Sequence, residues 1–184
     1  MDNGISSYNR FLSGDKDAID IIIRDYKDGL VYYLYSITGD MQLAEESAID
    51  AFVKLYVEKP PFKGSGAFKT WLYTIGRNKA YDTLRKLSKT VTVPIDDAYY
   101  ISDGNNIEDK VVDDERRSDL RRIISTLKPE YSQVLYLTFF EGFQNDEAAK
   151  IMKKSDKQIR DLIYRAKNAL KREIEKEGVT FYGL

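Results

Sequence analysis

The sequence predicts an all-α chain of two small helical domains joined by a flexible acidic linker, the carboxyl-terminal domain a helix-turn-helix. Three observations predict it. Apolar residues return every three or four positions over most of the 184 residues, with no strand ladder beyond the brief β-prone run Thr90-Val91-Thr92-Val93. Between Lys89 and Asp114 that period stops, and Pro94, Gly104, Asn105, Asn106 and carboxylates take over, the composition of a linker. Near the end, a short amphipathic stretch is followed at once by Ser155-Asp156-Lys157-Gln158, a capping-box sequence that starts a longer one. The expected domains are residues 1–89 and 116–184, with the linker at 90–115.

In order along the chain, helices are expected over 18–37, 42–57 and 67–87, then 116–126, 130–141, 146–152 and 156–175. In the second, Ala44, Ala48, Ala51, Phe52 and Leu55 form the buried stripe, so Glu45, Glu46 and Asp50 face outward. Ile49 and Val53 lie beside those acids; an apolar strip flanked by carboxylates marks either a partner contact or a widened core face. The tail 179–184 has no assigned role.

Composition narrows the chemistry. The chain has no cysteine and no histidine, which removes disulfides, thiolate and imidazole catalysis and the usual zinc ligand sets. No apolar stretch is long enough to cross a bilayer and no secretory signal opens the chain, so a cytoplasmic location without membrane insertion is expected. The net charge of -1 argues against nucleic acid until its distribution is followed. Residues 62–89 hold seven basic side chains against Asp82 alone, and residues 94–119 hold nine acidic against three basic. The first segment is a plausible DNA face, and the acidic one masks it in the total.

Two constellations carry function. In the third helix Trp71, Ile75, Asn78, Asp82 and Arg85 share one face, and Tyr73, Arg77 and Tyr81 another. Cations interleaved with rings suit melted DNA, since lysine and arginine follow phosphates while aromatics stack on unpaired bases. The preceding loop, Phe62-Lys63-Gly64-Ser65-Gly66-Ala67-Phe68, lets backbone approach a base closely because its glycines lack side chains. A core tryptophan and tyrosines on an amphipathic helix produce the same pattern, and the sequence leaves both open. Near the carboxyl end, the helix after Ser155 buries Ile159, Leu162, Ile163, Ala166 and Leu170 and leaves Lys157, Gln158, Arg160, Tyr164, Arg165, Lys167, Asn168 and Lys171 available. Such a helix can enter a major groove, where arginine and glutamine read base edges and lysines hold phosphates. A helical hairpin with solvated charges has the same period.

Residues 44–52 and 68–85 together resemble the second conserved region of extracytoplasmic-function sigma factors. Leu127-Lys128-Pro129, Gly142, Glu147, Ala149, Ser155, Ile159, Arg165-Ala166-Lys167 and Leu170 are similar, in order, to their fourth region. The resemblance implies that the first domain grips the polymerase clamp and melts the minus-ten element, while the last reads the minus-thirty-five element as duplex. It places Glu46, Ile49 and Asp50, with Glu45 and Val53 beside them, on the clamp-binding helix. It places Phe62, Lys63, Ser65 and Phe68 on the base-capturing loop, and Trp71, Tyr73, Arg77, Asn78, Tyr81 and Arg85 on or near the melting surface. Upstream-element contacts fall to Ser155, Lys157, Gln158, Arg160, Tyr164, Arg165, Lys167 and Lys171. The linker would thread toward the polymerase active site, where its acidity suits an electropositive RNA channel.

The implied partners are core RNA polymerase, through clamp and flap, and promoter DNA both paired and melted; an anti-sigma factor is expected by analogy alone. No metal, cofactor or catalytic residue is implied, and the reading is of a non-enzyme. Three places depart from the family pattern: Ile49 stands where glutamine is usual, Lys153 and Lys154 fill a turn where glycine and an apolar residue are common, and Ala148 replaces a larger aliphatic. The rival reading is a stand-alone helix-turn-helix regulator, which would not need the tryptophan-containing helix and its glycine loop.

Overall fold

The computed structural model describes residues 4–62, 67–90 and 113–177, with backbone alone at 90 and 113–118. The expected linker therefore lies almost wholly outside the described residues, as do Lys63, Ser65 and the tail. Four helices come first: α1 (Gly4–Leu12), α2 (Ala18–Thr38), α3 (Met41–Glu58) and α4 (Phe68–Thr90). Then come α5 (Asp113–Ser125), α6 (Pro129–Leu135), a π-helical turn (Tyr136–Phe140), α7 (Asn145–Met152) and α8 (Asp156–Glu177). Helix dominates and no strand occurs among the described residues, which makes the chain all-α in two helical domains.

Local chemistry sets the ends of these helices. Asp40 accepts the Leu43 N–H at 2.8 Å and so caps α3, while Pro129 occupies the first turn of α6, where a missing N–H costs nothing. The predicted stripe of α3 is buried in full, from Ala44 through Leu55. Around it α2 contributes Ile22, Leu30 and Leu34, and α4 contributes Phe68, Leu72, Tyr73 and Ala80. Helix α1 has no counterpart among the expected elements. It is held by tertiary contact: Tyr8 and Phe11 are buried, and the Tyr8 hydroxyl donates to the Pro60 carbonyl at 2.7 Å. Gly4 lies so close to the Phe68 ring that a Cβ there would collide with it.

Two further departures concern helix bounds. The helix expected over 116–126 begins three residues earlier, at Asp113, and ends at Ser125. The helix expected over 130–141 is interrupted after Leu135, where the π turn bonds the Glu141 N–H to the Tyr136 carbonyl at 3.2 Å. A π turn widens the helix by one residue and re-aims the chain beyond it. Gly142, at φ +68°, then ends it in the left-handed conformation that glycine adopts freely.

The two domains pack together, α4 along α7 and α2 against α6 and the π turn. Tyr73 stacks on Tyr33 with ring centroids 5.6 Å apart and meets Phe143 edge-on at 5.0 Å. Arg121 of α5 lies over the Tyr32 ring of α2 at 4.3 Å.

Buried phenols dominate the titration of this core. Burial pushes the Tyr8 hydroxyl up to about 12, and Tyr33, Tyr73 and Tyr136 are driven higher, the last two also by the Glu141 carboxylate. A raised phenol stabilises the fold fully below the unfolded value near 10. That contribution is lost as pH climbs toward and past the folded value. Unfolding is therefore expected to set in above about pH 10, with tyrosinate absorbance and loss of helical circular dichroism rising together. Complete ionisation with the helical signal intact would contradict this.

Candidate nucleic-acid and polymerase interfaces

On α8 the outward row is as the period requires. Lys157, Gln158, Arg160, Arg165, Lys167 and Lys171 are exposed, and Tyr164 is 70% exposed, an unusual position for a large ring. Ile159, Leu162, Ala166 and Leu170 face inward, with Ile163 half-buried. The capping box forms: the Gln158 N–H donates to Ser155 Oγ at 3.2 Å and the Ser155 N–H to Gln158 Oε1 at 2.8 Å. These bonds fix where α8 starts and so which side chains lie on its first exposed turn. Upstream, the Gln144 N–H donates to Glu147 at 2.9 Å, so Gln144 rather than Asn145 precedes the helix start of α7.

The turn between α7 and α8 keeps its shape despite its lysines. Lys153 adopts φ 55° and ψ 44°, and its N–H and that of Lys154 bond back to the last carbonyls of α7. Ala148 is fully buried there. The helix-turn-helix geometry is thus reached with a left-handed non-glycine residue at its pivot.

On α4 the candidate residues separate into classes. Arg85 pairs with Asp82 at 3.0 Å on the surface, an interaction worth little by itself. Arg77 lies over the Tyr81 ring at 4.4 Å, both partly exposed, and Asn78 is half-buried near them. Trp71 is half-buried among Tyr8, Phe62 and Phe68, with Phe62 edge-on at 5.3 Å. Phe68 and Tyr73 are fully buried, Phe68 between Tyr8, Tyr26 and Trp71. Neither ring can meet a base in this arrangement, because packing has taken both faces. Lys69 and Thr70 face the second domain, where Thr70 Oγ1 donates to Glu147 at 3.0 Å.

On α3, Glu45, Glu46 and Asp50 are exposed, and Ile49 and Val53 are 57% and 49% exposed, which excludes the widened core face. The apolar strip runs beyond Val53, through Tyr56 and Val57, the latter 69% exposed. Together with Ile19, Ile23 and Phe52 these side chains line a groove of 540 Å³ between α2 and α3, edged by Asp20, Lys27 and Glu45. The continuing spacing from Ile49 to Val53 to Tyr56 and Val57 is the signal in the sequence that marks the longer strip. Among the described residues no grouping of acids could hold a metal ion, and no helix is long and apolar enough to cross a membrane.

Residues 22–90 match the model of sigma-70 region 2 and residues 117–170 that of sigma-70 region 4, together about two thirds of the chain. The chain belongs to the extracytoplasmic-function sigma factors. It is a sigma factor that recognises promoters for RNA polymerase. It is 28% identical over 170 residues to the ECF RNA polymerase sigma factor SigW of Bacillus subtilis, spanning 88% of this chain and 91% of that one. It is equally similar to the RNA polymerase sigma-H factor of Pseudomonas aeruginosa, over 90% and 91% of the two chains. In fold it is similar to the sigma factor RpoE solved with the anti-sigma factor NepR from Bartonella quintana, with a TM-score of 0.69, 21% identity, and 86% and 98% of the chains covered.

The left-handed Lys153 at the turn between α7 and α8 carries a local cost. Lys153→Gly is expected to stabilise this sigma factor by about 0.5–1 kcal/mol, because glycine adopts φ > 0 without a Cβ clash. Denaturant unfolding of the two chains checks it, an unchanged or lower midpoint for the variant being the contrary result.

Proposed function

We propose that the division of labour follows the two domains, with boundaries at residues 1–89, 90–115 and 116–184. The carboxyl-terminal domain reads the minus-thirty-five element as duplex through Ser155, Lys157, Gln158, Arg160, Tyr164, Arg165, Lys167 and Lys171. The observation that carries this is the cationic row of α8, solvent-facing along its length and started at a defined residue by the Ser155–Gln158 box. Arginine and glutamine there have the donors to read base edges, and the lysines sit where phosphates would flank them.

The amino-terminal domain captures and melts the minus-ten element. Phe62 and Trp71 supply the partly exposed rings, with Lys63 and Ser65 following Phe62 in the chain, while Arg77, Asn78, Tyr81 and Arg85 supply the strand-facing polar surface. Phe68 and Tyr73 support that surface from beneath. Polymerase docks on the α2–α3 groove, with Ile49 and Val53 as apolar anchors and Glu45, Glu46 and Asp50 as the charged rim. A strip of four exposed apolar side chains on one helix is costly to leave in water, which is the argument for a partner there. The chain performs no chemistry itself and works in the cytoplasm. An anti-sigma factor, such as the one solved with the Bartonella quintana protein, is a further partner.

Purified chain added to core polymerase on a library of promoter fragments tests the reading: specific transcripts are expected, and duplex binding without transcripts would favour a stand-alone regulator. Val53→Asp should abolish co-purification with core polymerase while leaving helical content intact. Arg160→Ala or Arg165→Ala should weaken binding to the upstream element by about 1–3 kcal/mol where the side chain reads a base. Equal affinity of the unmodified chain for cognate and scrambled elements would remove that assignment.

A further inference from the structure

One side chain on the exposed face of α8 has the wrong sign for a surface that meets phosphates. Asp161 is the sixth residue of that helix and is exposed. At about 100° per residue it points directly away from the buried stripe of Ile159, Leu162, Ala166 and Leu170. Lys157, Gln158, Tyr164 and Arg165, all exposed, stand three and four positions to either side of it, so Asp161 occupies the centre of the face they form.

Nothing within the helix accounts for this carboxylate. Lys157 and Arg165, four residues before and after it, are at the spacing of a helical ion pair, and Asp146–Lys150 and Lys171–Glu175 do pair at that spacing in the same domain. The Asp161 side chain makes no hydrogen bond or ion pair among the described residues. The helix macrodipole gives no reason for it either, because that effect fades within the first turn. Asp156, the first residue of α8, is the acid placed to use it.

We propose, on the reading of α8 as the duplex-recognition helix, that Asp161 is a specificity-determining residue which selects a cytosine in the minus-thirty-five element by accepting its 4-amino N–H in the major groove. A carboxylate brought against a duplex is repelled by phosphates whatever the sequence. That cost is offset only where the groove presents a donor, since both carboxylate oxygens are acceptors. Guanine shows N7 and O6 there and thymine O4, all acceptors, which repel it. Adenine sets a donor at N6 beside an acceptor at N7. Cytosine shows its 4-amino group alone, and so fits best. Lys157 and Arg165 attract every duplex, whereas Asp161 makes the attraction conditional, because a wrong base leaves its charge unpaired in the groove.

The full chain with core polymerase, offered promoter duplexes randomised across the upstream element, tests this. Bound duplexes should carry cytosine at one position of that element about tenfold over any other base. Asp161→Ala should erase the preference at that position alone, with helical content unchanged, the other positions as selective as before, and duplexes lacking the cytosine bound more tightly. Asp161→Asn, which sets a donor beside its acceptor, should move the preference to adenine. Replacing the cytosine by pyrimidin-2-one, which lacks the 4-amino group, should weaken binding of the unmodified chain about tenfold and leave Asp161→Ala unaffected. Identical preferences in Asp161→Ala and the unmodified chain, or a loss spread evenly over all sequences, would overturn the assignment. So would a dependence on Asp161 at a position that selects any base but cytosine. Were the unmodified chain to select no base anywhere in the upstream element, the reading of α8 itself would fall, and the role of Asp161 with it.

Discussion

Everything in this molecule is organised around α4, and within α4 around Tyr73. Its ring lies against Tyr33 of the same domain and against Phe143 of the other, while its hydroxyl enters the Glu141 carboxylate. Burying a phenol on both faces costs less when its O–H has an acceptor. The neighbouring Tyr33 hydroxyl is buried without a partner, and Tyr73 donates across to the other domain instead. The second domain supplies the acceptor. Core packing in one domain and its contact with the other are thus one problem solved by one side chain.

The helices were legible because their apolar period is strong and their ends are chemically marked. α3 and α8 follow the expected stripes residue for residue, Ile163 alone standing half-exposed, and the Ser155–Gln158 box forms as its spacing implies. α1 was not legible, since Gly4-Ile5-Ser6-Ser7 has weak propensity and only Tyr8 and Phe11, buried against α4 and α3, give it a reason to be helical. The π turn was equally hidden: Tyr136 to Phe140 continues an ordinary apolar pattern, and only the widened hydrogen bonds reveal the extra residue.

The candidate site was legible in its surface and obscure in its depth. Period alone places Ile49, Val53, Arg160 and Tyr164 outside, because each helix has one predictable buried face. On α4 that logic fails, since this helix is contacted by α1, α2, α3 and α7 and has almost no single outward face. Phe68 and Tyr73 therefore sit among candidates for base contact by sequence and within packing by structure. Lys153 shows the reverse: an unfavourable residue at a left-handed position is accommodated because the α7–α8 contacts, Ala148 and Ile159 among them, dictate the backbone.

The interface between the domains is polar at its centre, and that has a thermodynamic meaning. Apolar interfaces resist separation in any surroundings, whereas a charged contact loses its advantage once each partner finds an equivalent counterpart elsewhere. Lys69 and Thr70 are groups that bind phosphate as readily as carboxylate, one as a cation and the other as a hydroxyl donor. Parted from them, the Glu141 and Glu147 carboxylates would meet water, whose solvation offsets the loss of the lysine and the hydroxyls. A contact built this way costs less to part than a seam of leucines in the same place would, because each polar group finds an equivalent counterpart in water or on another partner.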